Sequence, residues 1–198
     1  MNHIRPAIVM ILLFTALTGI AYPLALTGIA ALAFPWQANG EMISHDGRIV
    51  GSALIGQNFA SPRYFQPRPS ATSTPDPNDS SKTIDAPYNA SNSSGSNLGP
   101  TSKALIDRVS AAVDAKRAAG WTGPLPADAL TTSASGLDPH ISPENALLQV
   151  ADVAKARGLD ADKIRTLVQS HVEKPWLGVL GEQRVNVLLL NLALDDLT

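Results

Sequence analysis

The residues most suggestive of catalysis are a hydroxyl, a carboxylate and an imidazole that lie within six positions of one another. They are Ser135, Asp138 and His140. A serine hydrolase needs these groups to converge, with the histidine taking the hydroxyl proton and the carboxylate orienting the imidazole. Residues so close along a chain seldom achieve that geometry, and Asp138-Pro139 is typical of a turn. We interpret the segment as a turn leading into a helix capped by Ser142, with an envelope hydrolase as the alternative.

Other patterns that carry chemistry are missing from the sequence. There is no G-x-x-x-x-G-K-[ST] phosphate loop and no G-x-S-x-G nucleophile elbow. Cysteine is absent, which excludes disulfides, thiolate metal sites and a cysteine nucleophile. The histidines are scattered along the chain, without helical pairing, at His3, His45, His140 and His171. We therefore assign no catalytic residue and no metal ligand, and the nucleotide-binding residues, if any, are unknown.

The charge of the chain is close to balanced, with a formal net charge of -2 at pH 7. Proteins that bind nucleic acid usually show a basic patch or a high isoelectric point, and neither is visible here. The sequence also lacks a run of lysine or arginine that would bind anionic lipid headgroups. Nucleic acid is therefore excluded as an expected partner.

Residues 7–34 form an uninterrupted apolar segment that predicts a transmembrane helix. No charged residue lies between Arg5 and Glu41, and eleven Leu, Ile, Val or Phe residues lie between positions 8 and 29. A helix of this length extends about 42 Å, whereas the hydrocarbon core of a bilayer is about 30 Å thick. Since each large apolar residue favours insertion, the segment is long enough to span a membrane.

A cleaved signal peptide is the competing interpretation of this segment, with Arg5 as its basic region and Ala-Leu-Ala at 31–33 as its cleavage site. Signal peptides have apolar regions of about 7–15 residues, so the length favours a retained anchor. Arg5 lies at one end of the segment and Glu41 at the other. The positive-inside tendency then places residues 1–6 in the cytoplasm and residues 35–198 outside.

The interior of the span carries residues that suggest packing against other membrane helices. Pro23, which follows Tyr22, lacks a backbone donor and is expected to bend the helix. Gly19 and Gly28 are nine residues apart, on opposite faces of a regular helix, and small residues let helices approach closely in lipid. The alternative is that glycine and proline are simply common in membrane helices.

The segment after the span predicts a hairpin and then an irregular loop. Asp46-Gly47 is a two-residue turn signal between short apolar runs, and the second strand is expected to continue through residues 52–55. Residues 58–101 are rich in proline, serine and asparagine and show no period of 2 or 3.6. Such a stretch is usually functional or disordered, and its aromatic and arginine residues are typical interface anchors. A solvated surface loop is the alternative.

Helices are predicted for most of the remaining chain. An apolar stripe runs from Leu105 to Val113 and stops at Gly120. Ser142-Pro143 is an N-cap followed by a proline at the first helical position, and Gly158 is a typical C-cap. Asp160 is expected to cap a further helix that ends before Pro175. Val185 is expected to open a short strand, and Asn186 to cap a buried helix that runs to Asp195. The predicted fold is a single small α+β domain after one transmembrane helix.

Taken together, the motifs resemble the C subunit of the Kdp-type potassium-transporting P-type ATPase. The resemblance rests on residues 18–24 in the span, residues 51–59, Tyr64-Phe65, residues 68–71, residues 96–101 and residues 133–143. The ending at 185–195 is similar as well. These segments occur in the family's order over essentially the full length, although each alone is modest.

The resemblance implies a non-catalytic accessory subunit in the inner membrane of a bacterium. Its partners would be a potassium-channel-like subunit, the P-type ATPase catalytic subunit, a small single-span subunit and membrane lipid. ATP and potassium would be handled by the complex, so no cofactor is expected on this chain. The resemblance also implies that this chain acts as a catalytic chaperone, which raises the ATP affinity of the pump subunit. A free-standing envelope binding module is a further alternative.

The matched motifs also provide candidate site residues. For membrane packing these are Gly19, Tyr22, Pro23 and Gly28, and for partner contacts they are Gly51, Ser52, Gln57, Tyr64, Phe65, Arg68, Pro69, Ser70, Ser96, Asn97, Ser135 and Asp138. One departure is visible, because Ser94 stands where the family usually has a first glycine before Gly95. Serine tolerates a positive φ poorly, which leaves the path of this loop open.

Overall fold

The computed structural model describes residues 3–197. The chain forms two compact units, Met1–Ser52 and Ala53–Thr198. The predicted segments 1–6 and 35–198 therefore each extend slightly beyond the described residues, at positions 1, 2 and 198. The expected fold class is confirmed, because an apolar N-terminal helix is followed by a small domain that mixes helices and strands.

The first unit contains one continuous helix that is long and apolar enough to cross a membrane. It consists of α1 (Ile4–Ala16), a π-helical turn (Leu17–Ala21) and α2 (Tyr22–Ala33). Its 30 residues extend about 45 Å. None of them is buried by the rest of the chain, as expected of a helix that needs an apolar solvent. The helix begins three residues before the predicted 7–34 segment and ends one residue before its end.

The irregularity expected at Pro23 takes the form of the π-helical turn just before it. The N–H of Tyr22 donates to the carbonyl of Leu17, five residues back. Proline has no N–H, and its ring would clash with the carbonyl four residues earlier, that of Gly19. A wider turn relieves that clash. A side chain at Gly19 or Gly28 would meet nothing within 4 Å, so both positions are open to a neighbouring helix.

A short helix and a hairpin complete the first unit. Helix α3 (Pro35–Ala38) is followed by β1 (Met42–His45) and β2 (Arg48–Ser52), which pair antiparallel. Asp46 and Gly47 both have positive φ, at 50° and 73°, which confirms the predicted two-residue turn. The expected continuation of the second strand through residue 55 is wrong, since the strand ends at Ser52.

The second unit contains four helices, a hairpin and a small sheet. The helices are α4 (Lys103–Ala118), α5 (Pro143–Arg157), α6 (Ala161–Ser170) and α7 (Val187–Asp195). The strands are β3 (Ser73–Asp76) and β4 (Asp79–Asp85), which form the hairpin, and β5 (His140–Ile141), β6 (Val172–Glu173) and β7 (Arg184–Asn186), in the antiparallel order β5-β7-β6.

The core of this unit lies between α5, α6, α7 and the three-stranded sheet. Its buried residues are Phe65, Ile141, Ala146, Val150, Val153, Ala154, Ile164, Val168, Val185, Val187, Leu190 and Leu194. Most of them belong to the helices that the sequence predicted at 143–157, 161–170 and 187–195. Phe65 comes from the proline-rich segment, so that segment contributes to the core as well as to the surface.

The predicted helix ends agree with the structure. The Ser142 hydroxyl accepts a hydrogen bond from the N–H of Asn145 at 3.1 Å, and Gly158 ends α5 with φ at 68°. Asp160 caps α6 and Asn186 caps α7 through their side-chain oxygens. Each cap satisfies a backbone donor that the helix itself leaves unpaired.

One expectation for residues 58–118 needs correction. The loop 58–101 is not wholly irregular, because β3 and β4 form a hairpin whose turn is held by the N–H of Asn78 donating to the Asp76 carboxylate at 2.8 Å. Pro75 argued against a strand here because proline is unusual inside a sheet, although it is tolerated at a sheet edge. Helix α4 is present, but its apolar stripe packs on nothing that buries it: α4 contains no buried residue, and Ile106 is 54 % exposed.

Candidate functional site

An ion pair between Arg68 and Asp138 lies at the centre of the place where the family-like segments meet. One guanidinium nitrogen of Arg68 is 2.9 Å from a carboxylate oxygen of Asp138. Another donates to the backbone carbonyls of Thr131 and Thr132 at 3.5 and 3.4 Å. The pair therefore ties the residues that follow the buried Phe65 to the segment before β5. We call this region, formed by residues 54–57, 68–72, 86–96 and 131–140, the motif junction.

The second oxygen of Asp138 orients the turn that leads into β5. It accepts the N–H of His140 at 3.0 Å, and the Nδ1 atom of the same residue is 3.5 Å away. Burial alone would raise the pKa of Asp138, but hydrogen bonds from His140 and Arg68, with the charge of Arg68, outweigh it and lower the pKa to about 2. The carboxylate is therefore ionised at every pH at which a cell lives.

Tyr88 closes the junction above the ion pair. Its hydroxyl donates to the backbone carbonyl of Arg68 at 2.8 Å. Burial, reinforced by the charge of Asp138, raises the pKa of the Tyr88 hydroxyl well above its usual value. Tyr88 thus acts as a neutral hydrogen-bond donor. Its own backbone has φ at 62°, an uncommon conformation for an aromatic residue that the surrounding contacts hold in place.

The hydroxyl groups of Ser70 and Thr72 connect the remaining segments of the motif junction. Ser70 donates to the carbonyl of Gly136 at 2.8 Å and accepts the N–H of Tyr88 at 3.1 Å. Thr72, only 1 % exposed, donates to the carbonyl of Ala86 at 2.6 Å and accepts the N–H of Asn89 at 3.1 Å. Backbone groups that have no strand partner here are thereby satisfied by side chains.

Two glycines allow these segments to approach one another. A Cβ atom at Gly95 would lie 2.7 Å from the carbonyl oxygen of Ala134, and one at Gly136 would lie 2.7 Å from that of Ser94. Gly136 also has φ at 68°, whereas Ser94 is not among the described residues with positive φ. Ser94 is therefore not in a conformation that requires glycine, and the close approach is made at Gly95 and Gly136.

The Tyr64-Phe65 motif is held by side-chain amides from two helices. The N–H and carbonyl of Phe65 pair with the side chain of Asn191 at 2.8 and 3.0 Å. Those of Gln66 pair with Gln149 at 2.7 and 3.1 Å. The two amides, on α7 and α5, play the part of a neighbouring strand. Phe65 is wholly buried, so we interpret it as a core residue, whose contribution to partner contacts is indirect.

Tyr64 lies at the edge of this arrangement, against the C-terminal helix. Its hydroxyl donates to a carboxylate oxygen of Asp195 at 3.0 Å, and the Arg157 guanidinium lies over its ring at 4.8 Å. Arg157 also pairs with the other Asp195 oxygen at 2.7 Å. The three side chains therefore join the motif to the ends of α5 and α7, in an arrangement that stabilises the domain.

The hydrolase alternative requires Ser135 and His140 to meet, and the structure does not bring them together. The Ser135 hydroxyl accepts the N–H of Leu137 at 3.1 Å and lies 3.5 Å from the Ser133 hydroxyl. The imidazole of His140 lies near Asp138 and, at 4.0 Å, near Glu173. The geometry favours the turn interpretation. Within residues 3–197, no three His, Asp or Glu side chains are grouped to hold a metal ion.

The other predicted contact residues are spread over both units. Gly51 and Ser52 belong to β2 in the first unit, where the Ser52 hydroxyl donates to the carbonyl of Gly40 at 2.6 Å. Gln57 and Pro69 are half-buried in the second unit. Ser96 and Asn97 follow Gly95, and the hydroxyl of Ser96 lies 3.5 Å from Arg108 and from Thr132.

The ion pair opens onto a cleft of about 680 Å³. Its lining includes Arg68, Asp128, Asp138, His140, Trp176 and Arg184. Sequence reasoning missed several residues that build the region, namely Thr72, Gly136, Gln149 and Asn191. The one available signal was a polar amide in an otherwise apolar helix, as at Asn191 among leucines, because such a group needs a buried partner.

Comparison with known proteins gives the same family over almost the whole chain. The family model described as KdpC, K+-transporting ATPase, c chain, matches residues 4–196. A potassium-transporting ATPase KdpC subunit from Bradyrhizobium diazoefficiens is 60 % identical over 195 residues, covering 98 % of this chain and 97 % of that protein. KdpC subunits from Rhodopseudomonas palustris and Methylobacterium nodulans are 60 % and 57 % identical over 98 % and 100 % of this chain, and over 97 % and 98 % of their own lengths.

The match with the family model extends over the turns, the helix caps and the motif junction described above. The potassium-pump resemblance of the sequence motifs is confirmed by it. The chain belongs to the KdpC family, the c chains of the K+-transporting ATPase.

Proposed function

We propose that this chain assembles and stabilises an ATP-driven potassium uptake pump in the bacterial inner membrane, with its N-terminus in the cytoplasm and residues 35–198 outside. The observation that carries the proposal is the motif junction. Segments that match the family and lie far apart in sequence meet there around Arg68 and Asp138, in the unit that follows the apolar helix. Side-chain hydrogen bonds hold these segments together, and a surface that is ordered before binding loses less entropy when a partner binds.

The proposed partners are the potassium-channel-like subunit, the P-type ATPase catalytic subunit and the small single-span subunit. The span would pack against their helices at Gly19 and Gly28. Neither position has a side chain, and the space beside each is open, so the backbone of a neighbouring helix could approach closely there. The π-helical turn before Pro23 provides a fixed irregularity to which a partner helix can be fitted. Small residues at such places favour close helix packing in lipid.

A role apart from catalysis is supported by the positions of the candidate triad. The Ser135 hydroxyl is occupied by the N–H of Leu137, and Asp138 is paired with Arg68. Alanine at either residue should therefore weaken folding or assembly, whereas an envelope hydrolase would lose a measurable activity. Co-purification in mild detergent distinguishes a subunit from a free-standing binding module, because a subunit brings much larger membrane proteins with it.

A chaperone-like effect on ATP affinity would have to act at a distance. Residues 35–198, placed outside in this proposal, cannot touch cytoplasmic nucleotide. The effect would then be a coupling free energy passed through the span and its packing on the other subunits. The irregular turn at Leu17–Ala21 lies within the span through which this coupling would pass.

Cysteine labelling tests the orientation on which this function depends. The chain has no cysteine, so Ser93→Cys and His3→Cys each introduce a single thiol, and both positions are exposed. A membrane-impermeant maleimide added to intact spheroplasts should label Ser93→Cys, and should label His3→Cys only after the membrane is opened. The opposite pattern would reverse the topology and allow this chain to contact nucleotide directly.

The hairpin β3-β4 is the part of the proline-rich segment that we propose to cover the outer mouth of the potassium path. Removing residues 72–92 altogether would also remove Thr72, Tyr88 and Asn89, which hold the motif junction. A sharper variant replaces residues 76–82 by Asn-Gly, because Pro75 and Thr83 are directly paired and a two-residue turn can join them.

The hairpin variant should leave assembly of the pump intact and change its transport. We expect a lower apparent affinity for potassium, or slower uptake, in cells that depend on this pump. Ser81→Ala with Lys82→Ala, which removes side-chain contacts at the tip but keeps the hairpin, is the matched control. Unchanged potassium uptake by a fully assembled pump would remove the proposed cover.

A further inference from the structure

The loop between β6 and β7 presents an unusual concentration of exposed apolar side chains. Residues 175–181, here called the apolar tip, contain Trp176, Leu177, Val179 and Leu180, which are 68, 74, 78 and 57 % exposed. No charged or polar side chain interrupts them. A contiguous cluster of large apolar side chains that are each more than half exposed marks an interaction site.

Several backbone N–H groups of the apolar tip are paired within the tip itself. The N–H groups of Trp176 and Leu180 donate to each other's carbonyls at 3.0 Å. Those of Gly178 and Val179 donate to the carbonyls of Pro175 and Trp176 at 2.9 and 3.3 Å. A protein partner can supply missing hydrogen bonds, but lipid cannot, and unpaired backbone groups are costly there. Four backbone N–H groups of the tip are thus already paired within it, which lowers the cost of placing the tip in lipid.

The residues beside the tip suit the boundary between lipid and water. Lys174 precedes the tip, and Glu182 and Arg184 follow it. Arg184 pairs with Glu173 at 2.8 Å, where the paired strands β6 and β7 adjoin the tip. An exposed tryptophan and aliphatic residues flanked by long basic side chains are the usual composition of segments that lie in the membrane interface.

The chain's own anchor limits how far the second unit can stand from the bilayer. Ser52 is paired with Met42 in the first hairpin, so the second unit begins beside a residue only nine positions beyond Ala33. Nine residues extend at most about 32 Å, and α3 shortens that path. The second unit is therefore kept at a high effective concentration near the membrane surface.

We propose that the apolar tip inserts into the lipid interface of the bilayer that holds the chain's own N-terminal helix. Trp176, Leu177 and Val179 would enter the boundary between headgroups and acyl chains, with Lys174 and Arg184 at headgroup level. This would give the chain a second attachment to the membrane. The inference rests on the helix being in a bilayer and is independent of which side the domain occupies.

A fluorophore on the tip tests this insertion in the full chain. Val179→Cys, labelled with the environment-sensitive dye NBD, is reconstituted in nanodiscs of mixed zwitterionic and anionic lipid that contain an acyl-chain spin label. We expect NBD emission to shift to shorter wavelength and to be quenched about twofold or more, as for a group at the acyl boundary. Leu177→Asp added to this variant should abolish both effects, because a charge opposes insertion.

Two further labelled variants separate the possible outcomes. Ser93→Cys, exposed in the same unit, should show no quenching, and Phe14→Cys in the span should be strongly quenched. If Phe14→Cys is quenched and Val179→Cys is not, the tip does not touch lipid and the proposal is overturned. Emission at Val179→Cys that changes only after the other pump subunits are added would equally overturn it, in favour of a protein contact. Absence of quenching at Phe14→Cys would instead refute the transmembrane anchor on which the proposal rests.

Discussion

The Asp138 carboxylate accepts a hydrogen bond from the Arg68 guanidinium at 2.9 Å, although 70 residues separate the two along the chain. Both side chains are largely enclosed, at 21 and 28 % exposure. The pair thus connects the proline-rich segment to the turn before β5. Because Asp138 also fixes the N–H of His140, a change at this carboxylate is transmitted to the three-stranded sheet. The motif junction therefore depends on one negative charge.

The stability of the domain should fall when Asp138 is protonated. Its pKa is about 2 in the folded protein, below the usual 3.8 of an aspartate side chain, so the unfolded chain binds the proton more readily between these values. The stabilisation is thus fully present above about pH 4 and is lost as pH falls towards 2. After allowance for solvent screening we expect a loss of about 1–2 kcal/mol. Denaturant unfolding of the full chain in detergent between pH 5 and 2 measures it.

Asp138→Asn provides the comparison for this pH effect. The variant should be less stable than the natural protein at pH 6 and should lose less stability on acidification. Asp114→Asn, at an exposed position of α4, should reproduce the pH profile of the natural protein. A profile for Asp138→Asn that parallels the natural one would show that other carboxylates carry the acid sensitivity.

Gly136→Ala should destabilise the domain more than Gly158→Ala. Both glycines have φ at 68°, so both substitutions place alanine in the same left-handed conformation, at about 1–2 kcal/mol. Only at Gly136 would the new methyl meet neighbours, 2.5 Å from Thr72 Cγ2 and 2.7 Å from the Ser94 carbonyl oxygen. We expect an additional loss of about 1–3 kcal/mol there, measured by denaturant unfolding. Equal losses would mean that the junction accommodates a side chain.

Asn191→Leu should destabilise the protein although it adds apolar surface to an apolar helix. The substitution leaves the N–H and carbonyl of Phe65 without their partner in a region that is fully buried. Orphaned buried groups cost about 1–3 kcal/mol each, so a loss of about 3 kcal/mol or more is expected in the unfolding free energy. Leu189→Ala, a partly exposed position on the same helix, should cost less than half as much. A neutral or stabilising Asn191→Leu would show that the amide pairing is dispensable.

Local sequence signals predicted the helices well because their determinants are local. Ser142, Asp160 and Asn186 each cap a helix through an oxygen that reaches only two or three residues along the chain. The Asp46-Gly47 turn has the same character. In such cases the residue types alone fix the backbone conformation, since no distant partner is involved.

The motif junction was not predictable in the same way, because its contacts are long-range. Nothing near Phe65 indicates that Asn191 will pair with its backbone, 126 residues away. The hairpin at β3-β4 was missed because Pro75 and a polar composition hide the alternation that marks a strand. The apolar stripe on α4 predicted the helix, but amphipathic spacing does not say which surface, if any, covers the stripe.

Gly19→Leu should weaken assembly of the pump without unfolding the span. Leucine favours a helix more than glycine does, so a loss of assembly would reflect the space that the leucine side chain occupies. Within this chain that space is empty. If a partner helix packs there, recovery of the other subunits in mild-detergent co-purification should fall about tenfold, which corresponds to about 1.4 kcal/mol. Leu24→Ala, which removes bulk from an exposed position of the same helix, should leave recovery unchanged. Full recovery with Gly19→Leu would show that the face of Gly19 contacts lipid, and would direct the search for the packing face to Gly28.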